Sequence, residues 1–290
     1  MSPNPSPALA VSTWSLHRAI GVSYPNAPGN GAVARREETW GPGSLSLLAV
    51  PGEIARLGID RLEICHFHIP ADDTAYLAEL KAALAESGVT LQTLLIDDGD
   101  ITDPDNRRHD IAWIARWIEV ASILGAERAR VIAGKRKPSP ETLDLAVDGL
   151  RDLARRGSAA GVRVITENWF DTLSGPGEVH AVLDRLDGDV GLLADFGNWK
   201  GATKYADLAA IIGRAETCHA KCHFSIEGQM DANDYASCLA VASDAGYAGP
   251  FTLIYDGAGD DEWQGLAMER DFVRSHFAAA PRAPTAAATS

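Results

Sequence analysis

RARVIAG (128–134), SPETLDLAVDGLRDLARRGSAAG (139–161) and VRVITEN (162–168) follow one another in the chain. The two flanking segments are short β-branched runs, and the middle one is long with apolar residues at helical spacing. A strand, a helix and a second strand arranged this way are the signature of a parallel βαβ unit. Ser139 is placed to cap the helix, Pro140 suits its first position and Gly161 its end.

The same rhythm runs outward in both directions. Upstream lie ALAVSTWSL (8–16), a helical pattern near 44–57, RLEICHFH (61–68), a helix over 72–88, VTLQTLLI (89–96) and a helix over 106–125. Downstream come a helix over 177–187, VGLLADF (190–196), YADLAAIIG (205–213), TCHAKCH (217–223), a helix over 231–246, FTLIYD (251–256) and a closing helix over 261–277. Eight strand patterns alternating with eight helical ones, in a chain of 290 residues, predict a single-domain (β/α)8 TIM barrel. The expected boundaries are a flexible N-terminus at 1–7, the barrel over 8–277 and a disordered Pro/Ala/Thr-rich tail at 278–290. The first connection, 21–43, exceeds the usual 12–15 or so residues; it reads as an active-site cover or as a disordered insertion.

Composition narrows the function. Twenty-six Lys and Arg against 40 Asp and Glu leave a formal charge of -14, which repels nucleic acid. No apolar run reaches the roughly 18 residues of a membrane span, and the first residues lack the pattern of a signal peptide. Four cysteines, Cys65, Cys218, Cys222 and Cys238, are too few for a disulfide framework and fit a cytoplasmic protein. CHAKCH (218–223) has neither haem-attachment nor zinc-finger spacing.

In such a barrel the chemistry lies at the C-terminal ends of the strands. The polar residues there are Glu63, His66 and His68 on the second strand, Glu167 and Asn168 on the fifth, Asp195 and Asn198 at the sixth, and His219, Lys221 and His223 on the seventh. His219, Lys221 and His223 share one parity, so an extended strand turns them to one side. Glu167, Asp195 and His219 fall on consecutive strands. They form a carboxylate–imidazole set suited to Mn, Co, Fe or Zn rather than Ca, or else the carboxylates accept backbone N–H bonds and cap helices. Trp14, Trp169 and Trp199 also end strand patterns, as walls for a sugar ring or as core. Trp113 and Trp117, at i, i+4, read as helix packing.

VSTWSL (11–16), RLEICHFH (61–68), VITENW (164–169), LLADFGNW (192–199), CHAKCH (218–223) and GYAGPFTL (246–253) together resemble the xylose-isomerase-like TIM barrels, the sugar phosphate isomerase/epimerase superfamily. The resemblance spans about residues 8–277. It implies a divalent metal (Mn, Co, Mg or Zn) held by carboxylates on strands five and six, a His on strand seven and a Glu on strand eight. The first three fall on Glu167, Asp195 and His219. The fourth position is occupied by Ile254, and the nearest carboxylate is Asp256, of the same parity, which replaces the missing ligand or begins the following turn.

The activity this implies is a metal-dependent isomerase or epimerase acting on a sugar, sugar phosphate, polyol or hydroxy-ketone through an enediolate. Glu167, Lys221 and His66 are its catalytic candidates. Trp14, Glu63, His68, Asn168, Asn198 and His223 are its substrate-binding ones, and Glu167, Asp195, His219 and Asp256 its metal ligands. Two alternatives stand beside it: a metal-dependent lyase or dehydratase on the same scaffold, and a non-catalytic sugar-binding accessory protein. A DNA-repair endonuclease is disfavoured by charge. The expected partner is a small carbohydrate-like molecule, with a homo-oligomer left open.

Overall fold

The computed structural model describes residues 7–29, 35–70, 73–259 and 261–279. Strands β1 (Leu9–Ser12), β2 (Arg61–Cys65), β3 (Thr90–Ile96), β4 (Arg128–Val131), β5 (Arg163–Glu167), β6 (Gly191–Asp195), β7 (Ala215–Cys222) and β8 (Phe251–Tyr255) pair in parallel in sequence order. β8 returns to β1 and closes the barrel. Around it, among the described residues, run helices α1 (His17–Ile20), α2 (Val50–Arg56), α3 (Thr74–Glu86), α4 (Arg107–Leu124), α5 (Pro140–Ala160), α6 (Pro176–Leu186), α7 (Lys204–Ile212), α8 (Ala232–Asp244) and α9 (Glu262–Ala279). The protein is a single (β/α)8 TIM barrel.

Local chemistry accounts for the element ends. Ser139 Oγ accepts the Thr142 N–H at 3.1 Å, and Gly161 closes α5 in the left-handed region at φ 73°. The short helix α1 is an addition to the eight predicted helices. α9 continues to Ala279, two residues past the expected boundary, while 1–6 and 280–290 lie outside the described residues.

Two irregularities in the ladder set the side chains of the mouth. β2 faces β3 with Leu62 opposite Leu91 but Glu63 opposite Thr93, so Gln92 is an extra residue. β6 faces β7 with Leu192 opposite Ala215 but Leu193 opposite Thr217, so Glu216 is extra. Each bulge shifts register by one residue and thereby exchanges which side chains face inward. Beyond the second one, Asp195 stands beside His219 instead of Cys218.

The first connection folds back on the β1 and β2 ends. Ser23 and Glu37 form an antiparallel bridge, and Tyr24 N–H donates to the Phe67 carbonyl at 2.6 Å. Its two ends are clasped by Gly21 and Gly43, at φ 71° and 67°, where a methyl on either would strike the backbone of the other strand of the loop. Residues 30–34 of this connection are outside the described set.

Glu269 of α9 is fully buried, and neither of its carboxyl oxygens has a hydrogen-bond partner. Burial holds its carboxyl well above the usual carboxylate range, so the folded protein keeps the proton that the unfolded chain releases near pH 4.5. The folded state therefore binds more protons above that pH, and this residue costs progressively more stability as pH rises towards its folded value. Glu269→Gln removes the slope. It is expected to stabilise the protein more at about pH 8 than near pH 5. Urea unfolding at both pH values checks this; an equal gain at both would overturn it.

Candidate metal centre

Glu167 ends β5, Asp195 ends β6 and His219 lies in β7. One donor atom from each lies within 4.8 Å of the others, and all three residues are buried. His219 Nδ1 is 3.4 Å from Asp195 Oδ2 and 3.7 Å from Glu167 Oε1. Its other nitrogen, Nε2, is 2.8 Å from Glu63 Oε2. Burial alone would lower the imidazole's pKa, but the carboxylates of Glu63, Asp195 and Glu167 hold it well above its ordinary value. Burial likewise works against the charged forms of Glu63 and Asp195, and their contacts with His219 pull both below the usual carboxylate range.

Each member is held by neighbours. Asp195 Oδ1 accepts the Asn198 N–H at 2.9 Å, and Asn198 Nδ2 donates to Glu167 Oε1 at 2.7 Å. Asn168 is fully buried and pairs with the Asp195 backbone, accepting its N–H at 2.7 Å and donating to its carbonyl at 3.2 Å. Glu63, also fully buried, receives Gln92 Nε2 and Thr93 Oγ1 at 2.9 Å each on Oε1, so the bulge at Gln92 gives it two donors. Sequence placed Glu63 and Asn168 among substrate contacts. The structure puts them behind the ligand set, where they orient His219 and Asp195.

The second strand differs from its pattern. β2 stops at Cys65, and His66–His68 form one 3-10 turn, so the alternation on which both histidines were read as mouth residues ends before them. His66 accepts the Asp97 N–H at 3.1 Å and packs on Trp113 and Trp117. His68 shares a hydrogen bond with Thr13 Oγ1 at 3.0 Å, and burial lowers its pKa to about 3, keeping the ring neutral. Neither lines the cavity, nor does His223, which follows the end of β7. Trp14 and Trp169 do line it; Trp199 is core, bonded to the Leu173 carbonyl.

Arg130 was not singled out from sequence. It is buried in the cavity wall, ion-paired with Asp97, 3.1 Å from Glu167 Oε2 and 5.0 Å over the Trp169 ring. Arg130 first, against the cost of burial, holds the Asp97 carboxyl at about 2. The available signal was a charge at an alternating position inside a strand pattern.

Asp256 lies beyond β8 and is bonded to Lys221 Nζ at 2.6 Å, outside the donor cluster. Ile254, opposite Lys221 in the ladder, is the β8 side chain at the cavity. The parity argument for Asp256 fails because the strand has already ended. Asp256→Asn is thus expected to leave metal content unchanged and to cost less than about 1 kcal/mol, since the pair is partly exposed. Ile254→Glu is expected to raise metal affinity at least tenfold while destabilising the metal-free protein. Metal titration and melting curves check both, and a loss of metal in Asp256→Asn would return it to the ligand set.

The residues fit a divalent cation. Two carboxylates and an imidazole nitrogen converge, Glu167 Oε2 has no hydrogen-bond partner, and the far side of the imidazole is held by a carboxylate. The cavity above them measures about 200 Å³. A closed (β/α)8 barrel carrying this carboxylate–imidazole set at the C-terminal ends of its strands defines the class. The xylose isomerase-like TIM barrel family model matches residues 51–276, and the chain belongs to that family.

Among solved structures, a xylose isomerase-like TIM barrel protein from Mycobacterium smegmatis in complex with magnesium is 17% identical, with TM-score 0.65 over 94% of this chain and 97% of that one. D-allulose 3-epimerase from Methylomonas sp. is 15% identical, with TM-score 0.68 over 95% and 100%. 3-keto-D-glucoside 4-epimerase from E. coli is 17% identical, with TM-score 0.62 over 79% and 94%. At such identities the likeness is one of fold. No curated protein sequence matches. No helix among the described residues is long and apolar enough to cross a membrane.

Proposed function

We propose that the protein is a divalent-metal-dependent isomerase or epimerase that moves a proton at the carbon beside the carbonyl of a small hydroxy-carbonyl compound of carbohydrate type. The observation that carries this is the convergence of Glu167, Asp195 and His219 with Glu63 bonded to the outer nitrogen of the imidazole. The sugar epimerases of like fold support the substrate class. The free, buried cysteines suit work in the cytoplasm.

A cation bound by these residues would polarise the carbonyl and acidify the adjacent carbon. Glu167 takes the proton: Asn198 orients its Oε1, while its Oε2 is ion-paired with Arg130 Nε at 3.1 Å, which holds the carboxylate charged and in place. Lys221 lines the cavity and faces the negative charge that develops on the substrate oxygen. His66, read from sequence as a catalytic candidate, has no access to the cavity and takes no step in this scheme.

Ile254 favours a second reading. Where a second carboxylate would return a proton to the other face there is an alkyl chain, so proton transfer on a single face, or elimination with Glu167 as the one base, suits the site. Elemental analysis of protein purified without chelator, then mass spectrometry of deuterium uptake from D2O into a panel of ketoses and hydroxy-ketones, tests the proposal. Metal-dependent uptake is expected. Loss of water from a substrate would indicate the lyase, and absence of both metal and uptake would leave only an accessory binding role.

A further inference from the structure

The cavity has two unlike walls. Asp97 just past β3, Arg130, Glu167, Asp195, Asn198, His219 and Lys221 make one side charged and polar, with the Trp169 ring against Arg130. Trp14 and Phe67, in the turns just past β1 and β2, with Cys65, Leu95 and Ile254 of β2, β3 and β8, make the other largely apolar. Ser12 supplies the one hydroxyl among the lining residues, and its Oγ already accepts the Trp14 N–H at 3.2 Å.

The apolar wall is backed from behind. Cys65 and Leu95 join Ile165 and Leu193 in a separate buried cluster inside the barrel, with Trp14 and Phe67 packed on it. Phe67 stands edge-on to Trp14 with ring centroids 6.4 Å apart, and Trp40 of the first connection packs against Phe67 at 5.8 Å. The histidines on either side of Phe67 are turned away, His66 to Asn26 and the Asp97 backbone and His68 to Thr13.

A free ketohexose carries a hydroxyl on nearly every carbon. Seated with its hydroxy-carbonyl edge on Glu167, Asp195 and His219, it would press the opposite hydroxyls against a wall poor in hydrogen-bonding groups, stripping their water for few partners in return. A ring or alkyl group placed there instead gains from burial and aromatic contact.

Resting on the metal-dependent reading above, we infer that the site takes an α-hydroxy-carbonyl compound with one apolar face, an aryl- or alkyl-substituted hydroxy-ketone, in preference to a sugar hydroxylated all round. The exchange it would catalyse balances simply. Glu167 takes the carbon-bound proton, the C–H electron pair becomes the carbon–carbon double bond while the carbonyl π pair moves onto oxygen, the proton on Glu167 exchanges with D2O, and a deuteron returns to carbon as the pairs move back.

Dihydroxyacetone and 2-hydroxyacetophenone share the HO–CH2–C(=O) unit and differ in what faces the wall. Calorimetric titration of each, and of D-fructose, into the metal-loaded protein is expected to show 2-hydroxyacetophenone bound at least tenfold tighter, about 1.4 kcal/mol. Phe67→Ser and Ile254→Ser, each checked for folding by melting, are expected to bring the ratio towards one. Glu167→Gln is expected to end deuterium exchange from either ketone. Metal-dependent exchange with equal affinities, or with D-fructose bound better, overturns the apolar-face assignment alone. Absence of metal-dependent binding or exchange with any of the three overturns it together with the metal-dependent reading.

Discussion

Glu167→Gln is expected to lower turnover at least a thousandfold on any substrate found, with the melting temperature little changed. The substitution keeps the shape and the acceptor for Asn198 Nδ2, but removes the negative charge that faces His219 and Arg130. In the proposed mechanism it takes away one of two anionic ligands and the base together. Loss of a general base alone costs about 10² to 10⁴ in rate, and the lost ligand adds to that. Steady-state assays at saturating metal, beside metal content, separate the two effects. Activity within tenfold of the parent would move proton transfer to another group.

Glu63→Gln is expected to lower metal affinity about 10- to 100-fold although Glu63 is not among the candidate ligands. Gln92 and Thr93 both donate to Oε1 of Glu63, so a glutamine would keep its carbonyl oxygen there and turn its NH2 towards His219 Nε2. That nitrogen faces the carboxylate, so when a cation displaces the Nδ1 proton the remaining one would stay on Nε2, leaving the Nδ1 lone pair on the side of Asp195 and Glu167. Facing an amide donor, the ring takes the other tautomer and presents an N–H to the cation. Glu63→Ala does more, because it strands buried donors and removes half of a buried pair, at about 3–5 kcal/mol of stability. Calorimetric titration with Mn2+ or Zn2+ reads the first variant and urea unfolding the second; unchanged affinity in Glu63→Gln would reduce Glu63 to packing.

Glu167 and Asp195 could be read from the chain because each stands at the end of an apolar strand pattern, where polar burial demands a reason, and His219 because it alternates with Lys221 along β7. Lys221 was legible by the same parity. His66 and His68 looked equivalent and are not, since one 3-10 turn after Cys65 ends the alternation and nothing in RLEICHFH marks it. Asp256 was misplaced for the same cause, the strand stopping at Tyr255. Arg130 and Phe67 are not legible in the sequence because their importance comes from partners far off in the chain: Asp97 and Glu167 for the first, Trp14 and Trp40 for the second.

The order of elements, the closure into eight strands and the end of the barrel that holds the chemistry follow from the sequence by itself, because hydrophobic period and βαβ handedness are local properties of the chain. The register was decided only in the tertiary structure. Whether Asp195 meets Cys218 or His219 turns on one extra residue, Glu216, whose side chain is held by Arg163 and Arg128 from β5 and β4. A bulge leaves no periodic trace in the sequence. It is selected by packing and ion pairing across strands far apart in the chain, and a shift of one residue is enough to turn a different side chain towards the site.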